Sequence, residues 1–145
     1  MRLFLDSNIL LSFHFKDASK HQQKAIDFVF TQIEQKRWEG YISLITFYQL
    51  LYFIDKKLNN PKTAAKRAYA YLEVLQLTPF KPSLLSKLDI DLWPDYEVGL
   101  QYICARSGIC DVIISTGTHD FFASELLVVD PLNFVVQYGE LDSGI

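Results

Sequence analysis

Cysteine is scarce in this chain, and so are most features of secreted, membrane-spanning or disordered proteins. Two cysteines in 145 residues cannot build a disulfide scaffold. Cys104 and Cys110 have no histidine beside them, which argues against a zinc site and for core thiols. The six glycines never cluster, so no Gly-rich phosphate loop is expected. His14, His21 and His119 are scattered and no G-x-S-x-G elbow occurs. No apolar run approaches the ~20 residues of a membrane span. Arg2 precedes a short apolar stretch, but Asp6 interrupts it and no small-residue cleavage site follows, so no signal peptide is expected.

What is present is a core-forming composition. Half the residues are hydrophobic and 14% aromatic, which excludes intrinsic disorder. A chain this long buries roughly 70% of its unfolded surface. One cytoplasmic domain over residues 1–145, without membrane contact, is the expectation. Net charge is −3, which by itself argues against a dedicated nucleic-acid binder. Residues 1–72, however, hold 11 Lys/Arg against 6 Asp/Glu, and residues 73–145 hold 3 against 11. That asymmetry means either a basic face beside an acidic one or charge scattered over solvated faces.

The apolar pattern alternates between strand and helix. Residues 2–5 read as a strand, followed by polar Asp6, Ser7 and Asn8. Ala25, Ile26, Val29, Phe30 and Ile33 recur at helical spacing, predicting a helix over 18–35. Residues 41–44 are β-rich and 45–54 look helical. After the turn Asn59-Asn60-Pro61, a helix is expected over 62–75. Residues 77–80 suggest a short strand and 82–88 a short helix. Pro94 marks a helix start with Asp95 and Glu97 in its first turn, running to Gly108. Strands are expected at 112–114 and 126–129, and Pro131 opens a final short helix.

Strands that are apolar throughout and alternate with helices predict a three-layer α/β/α sandwich with a mostly parallel central sheet. Ligands of such sheets sit at the carboxyl ends of the strands. The candidate site residues are therefore Asp6, Ser7 and Asn8, then Thr46 and Gln49, then Ser115 to Asp120. Asp6 reads either as a functional acid at a strand end or as the cap of the next turn or helix.

Three segments in order resemble PIN domains, the nuclease fold of VapC-type toxins. LFLDSNILLSF (3–13) is similar to the family's opening, ISLITFYQLL (42–51) to its second motif, and DYEVGLQYICARSGICDVIISTGTHDF (95–121) to its third and fourth. The resemblance covers nearly the whole chain. It implies a metal-dependent endoribonuclease of toxin–antitoxin type, with Mg²⁺ or Mn²⁺ held by carboxylates. Carried over, Asp6 matches the first acid, Asn8 its companion, Thr46 the helix-start hydroxyl, and Asp120 with Phe121 the motif end. Gln49 stands where the family has Glu, Val98 where it has an acid, and Ser115-Thr116-Gly117 where it has Thr-Arg-Asn.

Two of four expected acids are thus replaced. Asp6 and Asp120 remain as the minimum for a single ion. Asp95, three residues before Val98, either reaches the pocket or only serves the helix dipole. The resemblance also places Lys56, Lys57, Lys62, Lys66 and Arg67 beside a nucleic-acid groove, where they either contact RNA phosphates or form an ordinary solvated face. It implies a homodimer and a small antitoxin partner. Two readings follow: a ribonuclease with a reduced acidic site, or a catalytically degenerate PIN domain that binds nucleic acid or protein. A phosphatase with Asp6 as nucleophile is a remote third, because Asn8 replaces the acid expected two positions on.

Overall fold

A computed structural model describes residues 1–143, with side chains through residue 139. Five strands form one sheet: β1 (Arg2–Leu5), β2 (Glu39–Ile42), β3 (Leu75–Leu77), β4 (Val112–Ile114) and β5 (Leu127–Val129). Their order is β3-β2-β1-β4-β5, and every pairing is parallel. The helices are α1 (Ser7–Phe15), α2 (Lys20–Glu34), α3 (Leu44–Leu58), α4 (Pro61–Ala70), α5 (Tyr96–Ser107) and α6 (Pro131–Ser143).

Parallel strands need crossovers, and the helices that supply them cover both faces. Strand alternation divides the core. Leu3, Leu5, Ile42, Leu75, Val112 and Ile114 point toward the larger cluster, which holds Ile26, Phe30, Leu50, Ile54 and Phe134 from α2, α3 and α6. Phe4, Tyr41 and Ile113 point the other way, onto Trp93, Cys104, Ala105 and Phe121. Both cysteines are free and buried there. The three-layer sandwich with a parallel central sheet is therefore the observed architecture.

Local chemistry fixes most boundaries. Ser43 caps α3 by accepting from Thr46 N, and Asn60 caps α4 by accepting from Thr63 N, with Pro61 in the first turn. Lys16 and Asn59 end α1 and α3 in the left-handed conformation. Gly40 lets α2 press on the sheet: a Cβ there would lie 2.6 Å from Leu75 Cδ2 and 2.8 Å from Ile33 Cδ1.

Several elements differ from the sequence pattern: β2 ends at Ile42 rather than at 44, and α3 begins at Leu44 and runs to Leu58 rather than 54. α1 was not anticipated, because SNILLSFHF is apolar on too many sides to show helical periodicity; it lies against α2 and α3, with Ile9 and Leu10 fully buried. The helix expected over 62–75 stops at Ala70 and gives way to a 3₁₀ turn over Tyr71–Glu73, because Leu75 is drawn into register with Gly40 as the first residue of β3. The strand expected at 77–80 therefore begins and ends earlier. The last helix is 13 residues long rather than short. α5 does end at Gly108, but with φ −78, and Ile109 takes the left-handed conformation with φ 53. Gly108 is small for another reason: a Cβ would meet Thr78 Cγ2 at 2.7 Å.

Candidate functional site

The chain reverses its direction of travel across the sheet at β1, which has β2 on one side and β4 on the other. Such a switch point opens a crevice at the carboxyl ends of the strands. Asp6 follows β1 directly, and its N–H donates to Ile114 O at 3.0 Å, so the ends of β1 and β4 are stitched together there. Asp6 is also the N-cap of α1, accepting from Ser7 N at 2.9 Å. Of the two readings of Asp6 left open by the sequence, the geometry shows the helix cap, made by an acid at a strand end.

Four donors surround the Asp6 carboxylate. Oδ1 accepts from Ser7 N and from Gln101 Nε2 at 3.2 Å. Oδ2 accepts from Ser115 Oγ at 2.8 Å and from Asn8 Nδ2 at 3.2 Å. A carboxylate offers about four lone-pair positions, so the set is full. Burial pushes the Asp6 carboxyl above the ordinary range; the hydrogen bonds from Ser115, Ser7 N–H and Gln101 pull it back, and Glu97 pushes it further up.

Gln101 is the hub. It is wholly buried. Besides Asp6, its Nε2 lies 3.0 Å from Ser7 Oγ and 2.8 Å from Thr46 Oγ1, and its Oε1 accepts from Ser43 Oγ. Ser7 Oγ and Thr46 Oγ1 are themselves 2.8 Å apart. Three helices, α1, α3 and α5, are thus pinned to the strand ends through one carboxamide. Asn8 completes the opposite side: its Oδ1 accepts from Thr116 N at 3.3 Å, which holds the loop after β4.

The other expected residues divide. Thr46 lies inside the network. Gln49 lies at its rim, donating to Glu97 Oε1 at 2.9 Å, while its own Oε1 is buried without a partner. Val98 packs with the Phe121 cluster and brings no polar atom to the crevice. Asp95 does not join the site: its Oδ1 accepts from Glu97 N and Val98 N, which makes it the N-cap of α5. Asp120 is 53% exposed and 3.3 Å from His119 Nε2, and its Oδ2 lies 2.8 Å from where a Gly117 Cβ would be. It thus folds back over the loop after β4. Gln101 and Ser43 were missed by the sequence reading. Gln101 sits one turn after Glu97 on α5, and a lone polar residue facing inward between apolar Leu100 and Ile103 was the available signal.

These residues do not fit a resident divalent ion. Among the described residues, no three His, Cys, Asp or Glu side chains form a group able to hold a metal. The partly buried Asp6 carboxylate has every acceptor position filled by protein donors. The orphaned Gln49 Oε1 is a neutral donor atom beside a single exposed carboxylate.

The five expected phosphate contacts also divide. Lys62 and Lys66 stand exposed on α4. Lys56, Lys57 and Arg67 line concavities away from the strand ends.

A family model of the PIN domain matches residues 2–119. This chain belongs to the PIN domain family. The PIN assignment agrees with solved structures of similar shape. VapBC2 from Rickettsia felis, bound to a DNA fragment from their promoter, superposes with a TM-score of 0.64 at 15% identity, over 90% of this chain and 98% of that one. VapBC-1 from nontypeable Haemophilus influenzae gives 0.65 at 14%, over 90% and 98%. FitAcB from Neisseria gonorrhoeae gives 0.58 at 16%, over 89% and 97%. At these identities the likeness is one of fold. No curated protein matches the sequence significantly. No helix among the described residues is long and apolar enough to cross a membrane.

Proposed function

We propose that this PIN domain works by binding, and that its strand-end site is a structural remnant of the family's nuclease centre. The observation that carries this reading is the saturation of Asp6 by four protein donors. Val98 and Gln49 support it, because neither supplies charge to the crevice. RNA along the basic α3–α4 hairpin is the proposed ligand, with Lys56, Lys62 and Lys66 as phosphate contacts. A small antitoxin-like protein is the proposed partner and a homodimer the proposed state. The solved VapBC structures, one of them with promoter DNA, support that class of partner.

The second reading is metal-dependent RNA cleavage at a reduced site, with Asp6 and Asp120 as ligands to Mg²⁺ or Mn²⁺. Gln49 favours it, since an unpartnered buried acceptor beside Glu97 is a place where a cation or its water would be welcome.

One comparison separates the two. RNA cleavage is measured in Mg²⁺ or Mn²⁺ against EDTA for the wild type, Asp6→Asn and Gln49→Glu/Val98→Asp. The binding reading expects an inert wild type that binds RNA equally well in EDTA, and cleavage gained by the double variant. Wild-type cleavage that disappears in Asp6→Asn would establish the second reading instead.

A further inference from the structure

Away from the strand ends, the C-terminal part of α1 and the last turns of α3 form a cleft that shares only Lys56 with the reading above. It has two parts that share walls. One, of about 430 Å³, is walled by Leu11, Phe15, Asp17, Phe53, Lys56 and Lys57. The other, of about 220 Å³, is walled by His14, Phe15, Ile54, Lys57, Leu58 and Arg67. Phe15 and Lys57 belong to both.

The smaller part is polar in one sense only. Lys57 and Arg67 bring two positive charges, and no acid lines it. Neither cation is in an ion pair among the described residues; Lys57 Nζ instead lies 5.2 Å above the Phe15 ring. His14 Nδ1 meets Tyr71 Oη at 2.7 Å. Burial pushes the Tyr71 hydroxyl up to about 12, and the His14 ring adds polar nitrogens to the wall. The larger part is mostly apolar, with two aromatic walls and the polar ends of Asp17 and Lys56 at its edge.

We propose that this cleft binds a phosphate monoester that also bears a flat ring, the chemistry of a nucleoside monophosphate. Two uncompensated cations match a phosphate dianion, and the Arg67 fork suits two of its oxygens. Phe15 and Phe53 offer faces to a planar body, and Asp17 with Lys56 can meet its polar edge. The larger part alone falls in the range of small-ligand sites. The groups facing His14 are Lys16, Lys57, Arg67 and Tyr71. Burial first, and then the three cations, push its pKa down. A bound dianion reverses that field, so the His14 titration midpoint rises on loading.

The full chain is titrated with AMP, phenyl phosphate and inorganic phosphate, by calorimetry and by NMR of the His14 ring. Saturable binding of AMP and phenyl phosphate is expected, with inorganic phosphate weaker and the His14 midpoint raised. Lys57→Gln and Arg67→Gln should each weaken AMP roughly tenfold or more. Phe53→Ser should weaken phenyl phosphate and leave inorganic phosphate unchanged. Circular dichroism confirms that each variant folds. RNA oligomers with a 5′-phosphate or a 5′-hydroxyl separate the ligand's sources. A preference for the phosphorylated end identifies an RNA terminus, and equal binding identifies a free nucleotide. No saturation at millimolar AMP overturns the proposal, as does equal weakening by Lys62→Gln/Lys66→Gln, which would signify diffuse charge. The proposed function is read from RNA binding weakened by Lys62→Gln/Lys66→Gln, and this inference from AMP binding weakened by Lys57→Gln and Arg67→Gln, so the two fail separately.

Discussion

Gln101 Nε2 reaches Asp6 Oδ1 at 3.2 Å while serving Ser7 and Thr46 as well, so one amide with two hydrogens faces three acceptors. The hydroxyls of Ser7 and Thr46 can rotate to share the load. Gln101→Ala leaves Asp6 and Ser43 short of partners and opens a void in a fully buried position. The expected loss is about 2–4 kcal/mol of folding stability. Urea denaturation measures it; a change under about 0.5 kcal/mol would show that the network does not hold the three helices.

Gln101→Glu makes a different prediction at the same position. It sets a second carboxylate against Asp6 and pushes the carboxyl pKa values further up. A folded-state pKa above the unfolded value gives stability that is present at low pH and lost as pH rises through the folded value. The variant should therefore approach wild-type stability near pH 4 and fall behind it by neutral pH, by about 1–3 kcal/mol. Denaturation across that range is the check; a constant gap would remove the carboxylate pair as its cause.

His14 works with the opposite sign. Burial first, then Arg67, Lys57 and Lys16, lower its pKa in the folded state. Its neutral form gives stability that is complete above the unfolded value of about 6.5 and is lost as pH falls through the folded one. The wild type should lose more stability than His14→Gln between pH 7.5 and 5. Parallel pH profiles would show that His14 takes no part.

Ile109 occupies a conformation that suits glycine or asparagine, with φ 53 and a side chain 74% exposed. A β-branched residue there is strained by about 1 kcal/mol or more. Ile109→Asn should raise stability by roughly 0.5–1 kcal/mol, because little packing is lost. A lower melting temperature in the variant would mean that Ile109 packs against something its exposure does not reveal.

Restoring the family's acids has a thermodynamic signature apart from catalysis. Val98→Asp takes an apolar contact from the Phe121 cluster and adds charge near Asp6. In EDTA, Gln49→Glu/Val98→Asp should be less stable than the wild type by about 1–3 kcal/mol. Millimolar Mn²⁺ should restore much of that loss in the variant and leave the wild type unmoved. A wild type stabilised by Mn²⁺ would contradict the lack of fit for an ion.

The fold was legible where pattern and packing agree. The apolar strands at 2–5 and 112–114 and the amphipathic stretch around Val29 sit where they were expected, because burial on two faces or one leaves a distinct periodicity. α1 was hidden by its own burial, since a helix covered on several sides has no polar stripe to count. The end of α4 was set by a partner distant in sequence: Leu75 pairs beside Gly40, and local propensity at 71–75 carries no trace of that pairing. The network was legible at Asp6, which follows β1 directly, and at Asn8 and Thr46, which lie in the first turns of the helices after β1 and β2. Asp95 stayed open between pocket and helix start because acids near a helix start serve caps as readily as chemistry, and it caps α5. Gln101 escaped because a neutral amide in an apolar helix has no distinctive spacing.

A single residue separates β1 from α1, and Asp6 is that residue. Its backbone ties two strands together while its side chain begins a helix and accepts from three other side chains. Such a residue has a structural reason to persist even where no phosphodiester is cut. An aspartate at this junction is therefore a poor diagnostic of activity when related sequences are sorted into active and inactive. Positions 49 and 98 discriminate better, because an amide and a valine are accommodated there without disturbing the junction.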